Sequence, residues 1–376
     1  MQGRGMKVLA ALGIAMTALL VVGVLAAANV VNLPGSWKEK LGFEDEFPNP
    51  PCRIGLYTNN PSSPPAPAGR WRFEPETPRN QIEASAIAIG PTIYVVGGTP
   101  PGNLHRVVTY NTKTKKFGDP TSLPTGLNHV QAATHDGKLY IAGGYLEGED
   151  PTDNFWRYDP ATDEWTKLAP LPQPTAGGAN VVIGDKLYVA GGAPQTFAAS
   201  GPVPPFPDLQ IYDFASGEWS QGPEMPSPRH HVGGATLDGD LYVAGGRGEA
   251  DHSLDTFERY DPASEKWESL PKLPIGVASP GLVAADGKLV IVGGEDQNEW
   301  EDGKGWVTPS AWEFDPETNR WSRLPDMKYD RRGGGVAAGG DRVYAIGGSY
   351  CPGLKPGGPV GTHTVESLDV ATAATN

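Results

Sequence analysis

Proton-transfer and anion-binding side chains stand close together at three places in the chain: "LNH" at 127–129, "RHH" at 229–231 and "RRG" at 331–333. Imidazoles exchange protons near neutral pH. Guanidinium forks hold carboxylates and phosphates by two-point contact. In a chain of formal charge −14, Arg229, His230, His231, Arg331 and Arg332 read as a local basic cluster, an anion pocket for an acidic sugar, a carboxylate ligand or an acidic peptide. Asn128 and His129 would border it, and Glu83 in "QIE" (81–83) supplies a carboxylate. The plainer reading is that Asp330 and loop carboxylates neutralise the arginines.

These residues are brought together by a repeat. Six apolar, β-branched segments end in a glycine pair: "IYVVGG" (93–98), "LYIAGG" (139–144), "LYVAGG" (187–192 and 241–246), "LVIVGG" (289–294) and "VYAIGG" (343–348). Such runs are buried strands, and turns such as "HDGK" and "ADGK" just before them are hairpin signals. The interval from an outer aromatic to the second glycine is 27 residues in every copy, for Trp71, Phe117, Trp165, Trp219, Trp267 and Trp321. A Tyr or Phe precedes five of these aromatics by seven residues. Only the stretch between the glycine pair and that Tyr or Phe varies, which describes a four-stranded antiparallel sheet with one loop left to diversify. Positions 10 to 12 residues after each outer aromatic then fall at equivalent places near one mouth of a central channel, and the variable loops are expected on the same face. That column reads QIE, LNH, TAG, RHH, VAS and RRG, too unlike itself to be scaffold alone.

A double glycine after an apolar strand, then Tyr, then Trp, on a period near fifty, resembles the kelch repeat, and six copies resemble a six-bladed kelch β-propeller of the galactose oxidase/kelch superfamily, in a bacterial-type extracytoplasmic version. The expected fold is therefore all-β over residues 69–370. Trp71 has no partner seven residues before it, while the sixth unit lacks its last strand. The segment "GRWRFE" is thus expected to complete blade six and close the ring. The resemblance assigns a fold, since kelch propellers do many unrelated things. A copper oxidase of the galactose oxidase type is a poor match, because neither cysteine has the context of a Tyr–Cys cross-link. N-acetylneuraminate epimerase, another extracytoplasmic six-bladed kelch propeller, handles an acidic sugar, and by analogy with it His230, His231 and Glu83 would shuttle a proton at a mutarotating ring.

Outside the repeat, residues 8–28 lack any charge or proline and follow Arg4 and Lys7, the polarity of an export signal. At about 20 residues such a run spans a bilayer. The expected organisation is a cytoplasmic basic end (1–7), a hydrophobic helix serving as transmembrane signal-anchor or signal peptide (8–31), a Pro-rich linker (32–68), the propeller, and a tail (371–376), with the propeller outside the cytoplasm, or secreted if the segment is cleaved. In that compartment Cys52 and Cys351 are expected to form a disulfide.

Acidity and the absence of a basic stripe exclude nucleic acid as a partner. No metal or cofactor is expected: phosphate-loop, HExxH, GxSxG and CxxC patterns do not occur. The repeat aromatics are packing residues, whereas Trp300 and Trp306 lie off the repeat grid in the longest variable loop and are candidates for contact with a ligand. The first functional expectation is a monomeric, non-catalytic binding module for a protein, an acidic carbohydrate or a peptide. The alternative is a mutarotase or epimerase of an acidic sugar, similar to N-acetylneuraminate epimerase.

Overall fold

The computed structural model describes residues 71–99, 105–147, 150–193, 204–249, 252–296, 306–350 and 361–370. The chain divides into two units, Met1–Gly55 and Leu56–Asn376, and every described residue belongs to the second.

Six four-stranded antiparallel sheets carry the fold. Blade I runs from the axis outward as Ser85–Ile89, Thr92–Val96, Val107–Asn111 and Lys116–Gly118. The innermost strands of blades II to V are Ala132–His135, Ala179–Ile183, Gly233–Leu237 and Gly281–Ala285. Blade VI is Gly335–Gly339, Arg342–Ile346 and Val365–Asp369, completed by Arg72–Glu74 from the other end of the propeller. In that last pairing Arg72 faces Ser367, Phe73 faces Glu366 and Glu74 faces Val365. The closure expected of Trp71 and its neighbours is thus observed, and the all-β, six-bladed propeller with it.

Local sequence explains each hairpin. At Asp136-Gly137, Asp238-Gly239 and Asp286-Gly287 both residues have positive φ, the backbone of a two-residue turn whose twist matches its strands. The glycine pairs join one blade to the next. The N–H of Gly98 donates to the Leu127 carbonyl at 3.0 Å, and the same bond recurs round the ring to Gly348 and Gln81 at 2.8 Å. A Cβ at Gly97 would stand 2.5 Å from the Leu127 carbonyl oxygen, so only glycine lets the blades approach this closely.

The apolar core lies between blades, in clusters such as Tyr94, Val107, Leu139 and Tyr158. Outer tryptophans latch each blade to the one before. The indole N–H groups of Trp165, Trp219, Trp267, Trp321 and Trp71 donate to the carbonyls of Thr121, Ala169, Pro223, Pro271 and Pro325 at 2.8–3.0 Å. In blade I the position is Phe117, which has no such donor. There Glu74 gathers the Tyr110 hydroxyl at 2.8 Å, the Lys115 ammonium at 2.8 Å and the Ser367 hydroxyl at 2.7 Å.

Two expectations are corrected. Among the described residues no helix is long and apolar enough to cross a membrane, and no disulfide is present among them. Residues 8–31, Cys52 and Cys351 lie outside the described residues. A run of apolar residues satisfies a length criterion without fixing a helix, and two cysteines satisfy a compartment argument without fixing a distance.

Candidate functional site

Each innermost strand is entered through one residue with positive φ, twelve residues after the outer aromatic. In blade order these are Glu83, His129, Gly177, His231, Ser279 and Gly333, with φ between 50° and 68°. For four side-chain-bearing residues to hold this conformation, neighbouring bonds must enforce it. The bonds run round the axis. His129 N–H donates to Glu83 at 3.0 Å, Gly177 to His129 at 3.0 Å, Ser279 to His231 at 2.8 Å and Gly333 to Ser279 at 3.1 Å. Val232 to Gly177 and Ala84 to Gly333, at 3.3 and 3.4 Å, complete the circuit.

This ring is the floor of a central cavity of about 330 Å³ whose walls are the six innermost strands, at the small end of the roughly 300–1,000 Å³ seen for small-molecule sites. Its two glycines decide which side chains meet. Gly177 has none, so the imidazoles of His129 and His231 pack edge to face over it with centroids 4.5 Å apart. Gly333 lies beneath the Glu83 carboxylate, where a Cβ would come 2.6 Å from the carboxyl carbon. Glu83 therefore reaches both His129 Nε2, at 3.4 Å, and the Ser279 hydroxyl, at 3.5 Å.

Behind the floor a chain of alternating charges crosses blades. Arg332 Nη1 bonds Glu83 Oε1. Its Nε lies 2.9 Å from Glu295 Oε2, and Arg247 Nη2 lies 2.5 Å from Glu295 Oε1. Burial pushes the Glu83 carboxyl up, but the positive field of His129, Arg332 and Arg247 and the Ser279 hydrogen bond more than offset it and hold it down. Burial pushes His129 down to about 4, with Arg247 and Arg332 adding to the effect against Glu83. Burial and Arg247 push His231 well below its ordinary 6.5. At pH 7 both imidazoles are neutral, so the permanent charges that keep Glu83 ionised are those of Arg332 and Arg247.

The residues expected from sequence separate into two sets. Glu83, His129 and His231 line the cavity. Arg332 backs Glu83; Asn128 Oδ1 touches His129 Nδ1, and His230 Nδ1 touches His231 Nδ1. Arg229 and Arg331 instead lie within the wall, 0% and 2% exposed. Arg229 pairs with Glu258 and Arg331 with Glu366, at 2.7 Å for the second. The partners are carboxylates of third strands rather than Asp330, whose carboxyl burial pushes up to about 6. Trp306 starts a two-residue ribbon, with Val307 and Trp306 facing Glu295 and Asp296; Trp300 lies outside the described residues.

Sequence reasoning missed Arg247 and Glu295. Each directly follows a glycine pair, in the column Thr99, Tyr145, Ala193, Arg247, Glu295 and Ser349. Every member forms a backbone bridge to the residue eleven after an outer aromatic, as in His230 with Arg247 and Arg332 with Ser349. These bridges put the start of each variable loop at the ring's mouth, as expected, and reading that column would have exposed the same irregularity.

A family model described as Attractin/LZTR1 beta-propeller matches residues 76–350. Kelch-like protein terF of Aspergillus terreus is 34% identical over 202 residues, 48% of this chain and 43% of that protein. Kelch-like protein 25 of Xenopus tropicalis is 29% identical over 285 residues, 73% of this chain and 38% of that protein. The chain thus spans less than half the length of these two relatives. The solved structure titled "Structure of YjhT" superposes with a TM-score of 0.66, covering 78% of this chain and 96% of that one at 20% identity, a likeness of fold.

Proposed function

This chain belongs to the Attractin/LZTR1 beta-propeller family, a propeller module suited to protein or small-molecule partners, and on that footing we propose that its central cavity is a small-molecule site catalysing mutarotation of an acidic sugar. The observation that carries this is the meeting of Glu83, His129 and His231 on the cavity floor, made possible by glycine at 177 and 333. Glu83, held ionised, takes the proton from the anomeric hydroxyl, while an imidazolium, protonated when the ligand binds, gives one to the ring oxygen as the ring C–O bond breaks and is left as neutral imidazole. The open-chain carbonyl recloses on its other face by the reverse transfers. A carboxylate on the ligand raises the pKa of the neutral imidazoles, so binding draws in a proton and tightens as pH falls towards 6.

The test is NMR exchange between anomers of N-acetylneuraminate and of hexuronates. Accelerated exchange with the native protein, reduced at least a hundredfold in Glu83→Gln with its fold intact, is the expected result. If these sugars raise the melting temperature without faster exchange, the non-catalytic binding module is the correct reading. That reading uses the same cavity without the proton transfer.

A further inference from the structure

Above its floor the cavity wall is two-sided. Blades I to IV set Ser85, Gln131, Thr134, Asn180 and Thr236, all able to hydrogen-bond, among apolar residues such as Ile87, Val130, Val181 and Val232. Blades V and VI contribute Pro280, Leu282, Val283, Ala284 and Val336, with glycine and alanine between them. The repeat demands no such division, since all six strands occupy equivalent positions.

The polar side is also fixed in sense. Asn180 Nδ2 donates to the backbone carbonyls of Gln131 at 3.0 Å and Ala142 at 2.9 Å. Gln131 Nε2 crosses blade III to donate to the Val232 carbonyl at 2.6 Å. A carbonyl only accepts, so these bonds assign nitrogen and oxygen in both carboxamides. Their oxygens are what remains for a ligand. The Gln131 oxygen lies beside Gly234, where a Cβ would come within 3.2 Å of it, and Ser85 Oγ is already an acceptor, from the Ala132 N–H at 2.9 Å.

We infer that the cavity orients a polyhydroxylated ligand by an acceptor wall on blades II and III, the Gln131 and Asn180 carboxamide oxygens, facing an apolar wall on blades V and VI. The ligand donates hydroxyl protons to the first and lays its carbon face on Leu282 and Val336. This deepens the proposed function and rests on the same cavity, but it concerns recognition and requires no proton transfer. It makes donor capacity, rather than polarity, the property the wall reads.

The probes are methyl glycosides of hexuronic acids and of neutral hexoses, which cannot ring-open, with their mono-deoxy and mono-deoxyfluoro analogues. Calorimetry on the full-length protein measures their affinities. Fluorine accepts weakly and donates nothing. At least one position is therefore expected where the deoxyfluoro and deoxy analogues are equally weakened, about five- to tenfold, relative to the hydroxyl. In Gln131→Met or Asn180→Ser that discrimination is expected to vanish for the hydroxyl concerned. Fluoro analogues that bind like the parent at every position, or a panel that does not bind at all, would overturn the inference. Binding with discrimination but no anomer exchange of the corresponding hemiacetal sugars leaves the inference standing and removes the catalytic reading. Exchange without discrimination does the converse.

Discussion

Arginine in the column ten residues after the outer aromatic and arginine in the column just after it have opposite fates. Arg229 and Arg331 vanish into the wall, paired with Glu258 and Glu366. Arg332, one residue further along, lies behind the cavity floor and pairs with Glu83. Successive strand-entry residues point to different sides of the backbone, so a shift of one position turns a staple into part of a site. What the comparison teaches is that charge type and column together still leave the role open, until the carboxylate within reach is known.

The sharpest way to break it is to remove one member of a wall pair. Glu258→Leu strands the buried guanidinium of Arg229, and we expect a loss of about 3–5 kcal/mol in urea unfolding. The double variant with Arg229→Met should recover most of that, since a well-packed apolar pair replaces a buried ion pair at little cost. Ligand affinity in the folded double variant should match the native protein. An unchanged melting curve in Glu258→Leu combined with lost ligand binding would place Arg229 in the site after all.

How much of this was legible beforehand follows from the same two columns. The invariant 27-residue interval fixed blade number, strand order and the closing strand, because backbone spacing is a property of sequence alone. It grouped Glu83, His129 and His231 in one ring at an end of the channel, because unlike residues at equivalent positions are visible without coordinates. It did not separate Arg229 from Arg332, since their partners Glu258 and Glu295 come from intervals of variable length or from outside the columns read. The two-sided wall was equally hidden: Gln131 becomes an acceptor only when its N–H finds Val232, a hundred and one residues away. The hydrophobic run and the two cysteines show the limit of composition: both lie outside the described residues, and among the described ones there is neither a membrane-length apolar helix nor a disulfide.

The pH dependence of stability sharpens the hub side. His129 binds its proton at about 4 in the folded protein and near 6.5 when unfolded. Between those values the unfolded chain holds more protons, so stability is lost as pH falls from about 6.5 to about 4. His231 acts in the same direction, and Glu83, also depressed, adds to the loss below about 4.5. Asp330, raised to about 6, opposes them: it stabilises below its unfolded value and loses that contribution as pH rises through 6. Thermal melts of the native protein should drop several degrees between pH 6.5 and 4.5. The drop should shrink in His129→Asn, which tolerates positive φ, and deepen in Asp330→Asn. An identical pH profile in His129→Asn would mean that the imidazole is already charged in the folded state.

The smallest expected effect concerns the wall alone. Five of six blade junctions carry an indole N–H bonded to the carbonyl four residues beyond the previous outer aromatic, and the sixth, between blades VI and I, has Phe117 opposite Pro75. Glu74 and its three partners hold that junction with charge in place of the indole bond. Phe117→Trp would add the missing donor without disturbing Glu74, because Phe117 pairs with Tyr110 while Glu74 accepts from the Tyr110 hydroxyl. One net hydrogen bond at a partly exposed edge contributes about 1 kcal/mol, read as a slightly higher urea midpoint at constant slope. The same variant should leave the salt dependence of stability unchanged, since the Glu74–Lys115 ion pair that salt screens is retained. Unchanged stability would mean that the Glu74 cluster already holds the blades at a spacing the indole cannot bridge, so that this junction obeys a different geometry from the other five.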